Sequence, residues 1–132
     1  MSINFDTALG IHADALRIRS QRAELLASNI ANADTPNYKA RDIDFQSAMK
    51  MAVSGQSTSI ETTHSNHISV GSNQFASPAV QYRSVFQDSL DGNTVDEQIE
   101  QAQFMQNSVQ YQATLNFLGG KFSGLLTAIK GE

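Results

Sequence analysis

The middle of the chain contains residues whose types and spacing could bind a metal ion. His64 and His67 are three positions apart, and Glu61 lies three positions before them. Imidazole and carboxylate groups are common zinc ligands, but protein zinc sites use three or four of them in a defined geometry. His12 is the only other histidine, and no further strong ligand lies nearby in the sequence. Exposed or interface histidines are therefore the simpler interpretation, and the sequence predicts no metal and no cofactor.

Carboxylates and hydroxyls do not form a recognisable catalytic set. Asp42 and Asp44 are two positions apart, and Asp44 is better placed to cap a short helix. Serine and threonine are abundant, but no G-x-S-x-G elbow or phosphate-binding loop accompanies them. Without a general acid, a base and a nucleophile, the sequence predicts no enzyme and no small-molecule substrate.

Composition excludes several further classes. The chain has 132 residues, which is enough for one domain, and its nine Lys and Arg residues are scattered under a net charge of -4. Nucleic acid is a poor partner for such a chain because phosphate binding needs clustered basic residues. No cysteine is present, so disulfides and thiolate chemistry are absent. The N-terminus has no basic segment followed by an apolar run, which predicts neither a cleaved signal peptide nor a membrane span.

Apolar residues recur at helical spacing from residue 6 to residue 32. One seven-residue row contains Leu9, Leu16, Ala23 and Ile30, a second contains Ile11, Ile18 and Leu25, and Ala13, Leu26 and Ala27 lie between them. Polar residues mostly occupy the remaining positions. This pattern predicts one long amphipathic helix.

A second helical pattern starts near Thr94. The segment "TVDE" reads as a capping box, in which Thr94 and Glu97 satisfy each other's backbone N–H groups. The apolar rows that follow are Val95, Ile99, Ala102, Val109 and Ala113, then Phe104, Tyr111, Leu118 and Leu125, with Leu115, Phe122, Leu126 and Ile129 extending them. Gly119 and Gly120 predict a bend before a last helical stretch.

The fold class predicted from these patterns is mainly α. Two long terminal amphipathic helices pack as an antiparallel coiled-coil-like hairpin, joined by a long, partly extended or β-hairpin middle segment with a short helix. The boundaries are 1–33 for the N-terminal helix arm, 34–93 for the middle segment and 94–132 for the C-terminal helix arm, and the two arms form one axial domain.

Each helix carries more apolar surface than one partner helix can cover, which predicts burial against other subunits. The residues assigned to these subunit-packing faces are Leu9, Leu16, Ala23, Leu26, Ile30, Ile99, Ala102, Val109, Ala113, Leu118, Phe122 and Leu125.

The middle segment has weaker signals. Phe45, Ala48, Met49 and Ala52 fall at helical spacing, which predicts one or two helical turns capped by Asp44. From residue 54 to residue 77 small polar residues dominate, with short alternations at "SIET" and "ISV" that could pair as a hairpin. Such a long loop usually indicates a functional projection or a segment ordered by neighbours.

The first helix must end in residues 29–38, which we call the elbow. Side-chain amides of Asn29 and Asn32 lie in the last helical turn, where they can satisfy terminal carbonyls. Thr35 precedes Pro36, and a residue before proline is disfavoured in the helical conformation. The elbow therefore predicts a sharp end to the helix.

The residues that follow predict a rigid reverse turn. Pro36 fixes the second position of a β-turn, and Asn37 tolerates the positive φ that a type II turn requires at its third position. Tyr38 then returns toward the helix with an aromatic ring and one hydroxyl.

The elbow also carries a family signature. "LLASNIANADTPNYKARDIDF" resembles the flagellar axial proteins (the rod, hook and hook-associated family), in which an N-x-A-N type run is followed by T-P-G-Y or similar. Asn37 stands where glycine is commoner, and both accept the left-handed conformation. "ARDIDF", "SLDGNTVD" and, more weakly, "THSNHI" are most similar to proximal rod proteins of the basal body. The matching elbow residues are Leu26, Asn29, Ile30, Ala31, Asn32, Thr35, Pro36 and Tyr38.

This resemblance implies a structural subunit of the flagellar basal-body rod that self-assembles through its terminal helices and transmits torque from the membrane ring to the distal rod and hook. The implied partners are copies of itself, other rod subunits, the membrane-ring protein, the rod-ring adaptor protein and the flagellar type III export gate. The implied location is the rod, reached by export without a cleaved signal peptide. "FDTAL" resembles an F-x-x-x-hydrophobic export-gate element, although Phe5 and Leu9 serve equally well as ordinary helix-packing residues.

Two other interpretations stay open. A hook or distal-rod relative shares the elbow but normally has a larger inserted domain, and the short middle segment argues against it. A soluble helical adaptor or export chaperone of a type III secretion apparatus would fold alone as a stable dimer. Circular dichroism separates these classes, because an isolated rod subunit should contain far less helix than the roughly 50 residues patterned above.

Overall fold

The computed structural model describes residues 9–54, 79–84 and 89–131, and this part of the chain is mainly helical. Its elements in chain order are α1 (Ile11–Ala31), β1 (Arg41–Ile43), α2 (Phe45–Ser54), β2 (Val80–Tyr82) and α3 (Glu97–Lys130). The prediction of a mainly α chain is therefore confirmed. The "SIET" and "ISV" alternations lie outside the described residues.

Helix α1 is shorter than the sequence pattern predicts at its N-terminal end. Gly10 has φ 58° and separates Leu9 from the helix, which begins at Ile11. A positive φ is easily reached by glycine and strained for other residues, so the predicted continuous helix through this position is wrong. Beyond Gly10 the helix runs without a break to Ala31, close to the predicted end.

Helix α3 differs from prediction at its start and in its length. Asp96, rather than Thr94, is the N-cap, and its carboxylate accepts hydrogen bonds from the backbone N–H groups of Gln98 and Ile99. The helix then continues through Gly119 and Gly120 for 34 residues, or about 51 Å. The predicted interruption at the two glycines is wrong, because the helix continues through them despite a cost of about 1 kcal/mol per glycine relative to alanine.

The short elements between the long helices form the apolar core of the described part. Asp44 caps α2 by accepting hydrogen bonds from the backbone N–H groups of Gln46 and Ser47 at 3.0 and 3.3 Å, which confirms the predicted cap. Strand β1 pairs antiparallel with β2. Core residues from α1, β1 and α2 are Ile18, Ile43 and Ala48, with Leu25, Phe45 and Met49 packed against them.

Helix α1 packs along α3. The residues that meet are Asn29 with Glu100, Arg22 with Gln103, Arg19 with Asn107 and Gln110, and His12 with Phe117. Numbers fall along α1 as they rise along α3, so the helices run in opposite directions. No described helix is both long enough and apolar enough to cross a membrane.

Candidate functional site

The reverse turn of the elbow forms as the sequence predicts. The backbone N–H of Tyr38 donates to the Thr35 carbonyl at 3.3 Å, and Asn37 has φ 61°. The Tyr38 hydroxyl returns to α1, where it lies 3.2 Å from the Ser28 hydroxyl and donates to Asn29 Oδ1 at 3.3 Å. The turn therefore reverses the chain direction and is tied back onto the last turns of the helix.

Two asparagines at the end of α1 have different roles. Asn32 Nδ2 donates to the Ser28 carbonyl at 2.8 Å, as predicted for a residue that satisfies terminal carbonyls. Asn29 does not donate to a terminal carbonyl of α1, so the prediction that its side chain does so is wrong. Its fully buried amide donates to the Arg41 carbonyl at 2.8 Å and to Glu100 Oε2 at 3.0 Å, while Oδ1 accepts from the Arg41 N–H at 3.1 Å. Asn29 thus joins α1 to β1 and α3.

The end of α1 is completed by a residue from the other arm. The Asn93 amide donates to the carbonyls of Asn32, Ala33 and Thr35 at 3.0, 2.6 and 3.1 Å. Its Oδ1 accepts from the Val95 N–H at 2.8 Å. Asn32 is the C-cap residue of α1, and Ala33 and Thr35 follow it. Asn93 therefore binds the chain just after α1 from about 60 residues away in sequence.

Residues 91–94, which we call the clamp, hold the elbow along their length. The Asn37 N–H donates to the Asp91 carbonyl at 2.9 Å, and the Thr94 N–H donates to the Tyr38 carbonyl at 3.1 Å. The Ala40 N–H donates to Thr94 Oγ1 at 2.8 Å, which explains why the Thr94 hydroxyl does not cap α3. The two segments that carried the family resemblance are therefore one structural unit.

Gly92 of the clamp lies close to Asn37 of the elbow. Its φ is 73°, and a Cβ atom there would lie 2.7 Å from Asn37 Oδ1. The Lys39 ammonium donates to the Gly92 carbonyl at 2.6 Å. Both the backbone conformation and the short distance favour glycine at this position.

Four charged side chains form a second cluster, which we call the charged node. Arg22 binds Asp42 through two hydrogen bonds, from Nε to Oδ1 at 2.9 Å and from Nη2 to Oδ2 at 3.0 Å. Arg83 donates to Asp42 Oδ2 at 2.6 Å and also to Glu100 Oε1. Glu100 is only 1 % exposed, so Arg83 supplies the positive charge beside a buried carboxylate. The node joins α1, β1, α3 and the residue after β2.

The environment of Asp42 shifts its ionisation. Burial is the largest single effect and by itself would raise the pKa of Asp42. Hydrogen bonds from Arg22 and Arg83, with a smaller contribution from the Ile43 N–H, outweigh burial together and hold the pKa of Asp42 below its ordinary value. Asp42 is therefore a structural anion rather than an acid or base ready for proton transfer.

The face that α3 turns toward α1 is polar. The face consists of Glu100, Gln103, Asn107, Gln110 and Thr114, which we call the polar seam. Arg22 donates to Gln103 Oε1 at 2.9 Å, Asn107 Nδ2 donates to the Arg19 carbonyl at 3.0 Å, and Arg19 donates to Gln110 Oε1 at 2.5 Å. Hydrogen bonds thus connect the two helices at several positions along the polar seam.

The predicted subunit-packing residues divide by helix. On α1, Leu26 is fully buried, and Leu16, Ala23 and Ile30 are half-buried, as is Leu9 before the helix. On α3, Leu118 and Leu125 are half-buried, whereas Ile99, Ala102, Val109, Ala113 and Phe122 are exposed. Other large apolar residues exposed on α3 are Phe104, Met105, Leu115, Phe117, Leu126 and Ile129. Phe5 lies outside the described residues.

An open groove of about 690 Å³ lies beside the charged node. Arginine and glutamine side chains dominate its lining, and Arg19 lies 4.0 Å above the ring centre of Phe45. Within the described ranges no three His, Asp or Glu side chains come close enough to hold a metal ion. Glu61, His64 and His67 lie outside those ranges.

Sequence reasoning missed the residues with the most connections. Asn93, Arg83 and Glu100 were assigned no role, and Asp42 was considered only as a neighbour of Asp44. One signal was available, because Arg83 is the only basic residue among five acids between residues 83 and 100. The partners of Asn93 and Asn29 are distant in sequence and had no local signal.

Comparison with known proteins identifies close relatives. Residues 9–39 match the family model described as flagella basal body rod protein, and these residues comprise α1 and the elbow. The chain is 51 % identical to the flagellar basal body rod protein FlgB of Aeromonas hydrophila, covering 100 % of this chain and 99 % of the relative. It is 46 % identical to the protein of that name from Salmonella typhimurium, over 96 % of this chain and 95 % of the relative. Identity to the Escherichia coli K12 protein of that name is 45 %, with 95 % and 94 % covered.

Replacing the Asn93 amide should destabilise the elbow. We expect Asn93→Ala to lower the free energy of unfolding by about 1–3 kcal/mol, because the carbonyls of Asn32, Ala33 and Thr35 lose the donor that the buried Asn93 amide supplies. Urea unfolding followed by far-ultraviolet circular dichroism measures this change. Asn116→Ala, at an exposed asparagine of α3, is the matched control and should not lower stability. Equal losses in the two variants would contradict this role of Asn93.

Removing the positive charge of Arg83 from the charged node should lower the free energy of unfolding by more than Asn93→Ala does. We expect Arg83→Met to lower the free energy of unfolding by about 3–5 kcal/mol, because the Glu100 carboxylate stays buried without its positive partner. Adding Glu100→Gln to the same chain should recover part of this loss, because a neutral amide needs no counter-charge. Lys121→Met, at an exposed position, is the control. A double variant no more stable than Arg83→Met alone would argue against the pair.

Stability should depend on pH through Asp42. Folding lowers the pKa of Asp42, so its ionised form is favoured in the folded state. This contribution to stability is complete above the ordinary aspartate pKa of about 4 and is lost as the pH falls through the lower folded-state value. We expect urea midpoints to fall across that window, and to fall less steeply in Asp42→Asn. Parallel pH profiles for the two proteins would contradict this assignment.

Proposed function

The chain belongs to the FlgB family of flagellar basal body rod proteins and is a structural subunit of the rod; from this we propose that it self-assembles through its two terminal helices and transmits torque. In this proposal the arms 1–33 and 94–132 form one axial domain, packed as an antiparallel coiled-coil-like hairpin. Each subunit passes mechanical load to its neighbours by helix contact, without chemistry. Torque then runs from the membrane ring to the distal rod and hook.

The observation that carries this proposal is the set of large apolar side chains exposed along α3. They extend from Ile99 to Ile129 and include Met105 at 67 %, Val109 at 71 % and Leu126 at 56 % exposure. Exposed apolar surface of this extent on a protein usually marks a contact with another molecule. A single helix that carries such residues over about 45 Å can meet more than one neighbour.

Resistance to twisting requires that each subunit also holds together internally. The clamp and the charged node connect α1, β1 and α3 through directional hydrogen bonds and ion pairs. Such contacts have defined geometry, so a force applied to one arm is transmitted to the other. This supports the two arms acting as one mechanical unit.

Association with other rod subunits follows from membership of the family, and we propose the finer contacts. Copies of this chain, the membrane-ring protein and the rod-ring adaptor protein are the proposed neighbours in the basal body. We further propose that the chain reaches the rod through the flagellar type III export gate without a cleaved signal peptide. Phe5 and Leu9 remain the proposed gate-binding pair.

Substitutions on the outward face test self-assembly. We expect Val109→Ser combined with Leu126→Ser to reduce swimming in soft agar to less than a tenth of wild type, in a bacterium whose own gene for this chain is deleted. Burial of each side chain contributes about 1.5–3 kcal/mol, and every subunit in the rod loses both contributions. Rods in isolated basal bodies, counted by electron microscopy, should fall in parallel.

A matched control keeps this test specific. Gln112→Ser combined with Asn116→Ser changes two exposed polar positions of the same helix and should leave swimming unchanged. Immunoblots of cells and of purified basal bodies separate failure of expression from failure of assembly. Normal rods in the Val109 and Leu126 variant would overturn the proposal. A stable, fully helical dimer of the purified chain would instead favour a soluble adaptor or export chaperone.

A further inference from the structure

Helix α3 turns its more polar face toward α1. Residues of the polar seam are spaced alternately three and four apart, which is the spacing of the core positions in a coiled coil. Such positions normally hold leucine, isoleucine or valine. In this chain they hold Glu, Gln, Asn, Gln and Thr, while the apolar residues of α3 lie on exposed faces. Burial of apolar surface alone would place the apolar residues of α3 toward α1 and its polar residues toward solvent, which is the opposite of the observed arrangement.

The seam is not optimised for stability. Asn107 is 1 % exposed, yet its Oδ1 has no hydrogen-bond partner among the described residues. On the facing helix the same holds for Arg19 Nε and Gln21 Oε1. Buried polar atoms without partners destabilise a fold, and apolar residues of similar volume are often more stable at such positions.

The seam does, however, match one arrangement of the two helices. Arg22 reaches Gln103, Arg19 reaches Gln110, and Asn29 reaches Glu100 only at the present register and rotation. A slide by one helical turn or a rotation of α3 about its axis separates these donors from their acceptors. The Glu100 carboxylate would then be separated from Asn29. Alternative pairings would therefore leave these polar groups without their partners.

We propose that the polar seam selects which face of α3 meets α1, and so reserves the apolar face of α3 for other subunits. The inference rests on the proposed function for the role of the reserved face. A single buried asparagine at a coiled-coil core position can set register at a cost in stability, and Asn107 occupies the equivalent position. An apolar seam would let the outward face of α3 compete for α1 within the same molecule.

Distances between the helices test this selection directly. The chain has no cysteine, so Ser20→Cys and Ser108→Cys introduce two unique sites for nitroxide labels, one exposed on each helix. In the full-length chain we expect one narrow distance by double electron–electron resonance. Adding Asn107→Leu and Thr114→Val should produce a second distance shifted by about 5 Å or more, the rise of one helical turn. The same variant should unfold at a higher urea concentration.

The control is the same chemical change on the opposite side of the helix. Asn116 is exposed, and Asn116→Leu should leave the narrow distance unchanged. One unchanged distance in the seam variant, or a broad distribution in the wild-type chain, would overturn the inference. The distances are measured in isolated basal bodies in which labelled chains are mixed with an excess of unlabelled chains, so that only distances within one subunit are observed. Failure of the proposed function would appear instead as normal swimming of the Val109 and Leu126 variant.

Discussion

The buried carboxylate of Glu100 is the constraint on which the rest of the described structure depends. A charged group removed from water must be matched by a counter-charge and by hydrogen bonds, or folding is opposed by its lost hydration. Arg83 supplies the charge and Asn29 supplies an amide donor. These partners come from the segment after β2 and from α1, so satisfying one carboxylate brings three distant parts of the chain together. The two remaining members of the node, Arg22 and Asp42, then fix the strand against the helix.

The elbow also depends on contacts with residues that are distant in sequence. Its reverse turn is encoded locally by Pro36 and Asn37, but carbonyls just after α1 accept hydrogen bonds from Asn93 of the clamp. Within the elbow, the Asn32 and Ala33 N–H groups bond the carbonyls of the last turn of α1. Asn93 adds contacts from the C-terminal arm to the residues that follow the helix. The match to the flagella basal body rod protein family ends at residue 39, directly after the elbow.

Local signals explain which parts of the fold could be predicted from sequence. The reverse turn and the Asp44 cap follow from residues within four positions of each other, and both are confirmed. The Thr94 cap was wrong because a distant backbone group, the Ala40 N–H, occupies the hydroxyl. The inner face of α3 could not be found by apolar periodicity because the buried stripe is polar. The regular spacing of these polar residues is visible in the sequence. It can be recognised as a helix-packing face only when the positions of their partners on α1 are known.

The division between polar and apolar faces suits a subunit that meets several different neighbours. Hydrogen bonds and ion pairs are directional, so they specify one internal arrangement and tolerate little variation. Apolar contacts are non-directional and scale with buried area, so one apolar surface can pack against surfaces of different sequence. In the proposed assembly, a subunit that keeps one internal structure while it packs against other rod subunits needs both properties. Directional contacts lie between α1 and α3, and apolar side chains lie on the outside of α3. The subunit can therefore keep one internal structure while it packs against different surfaces.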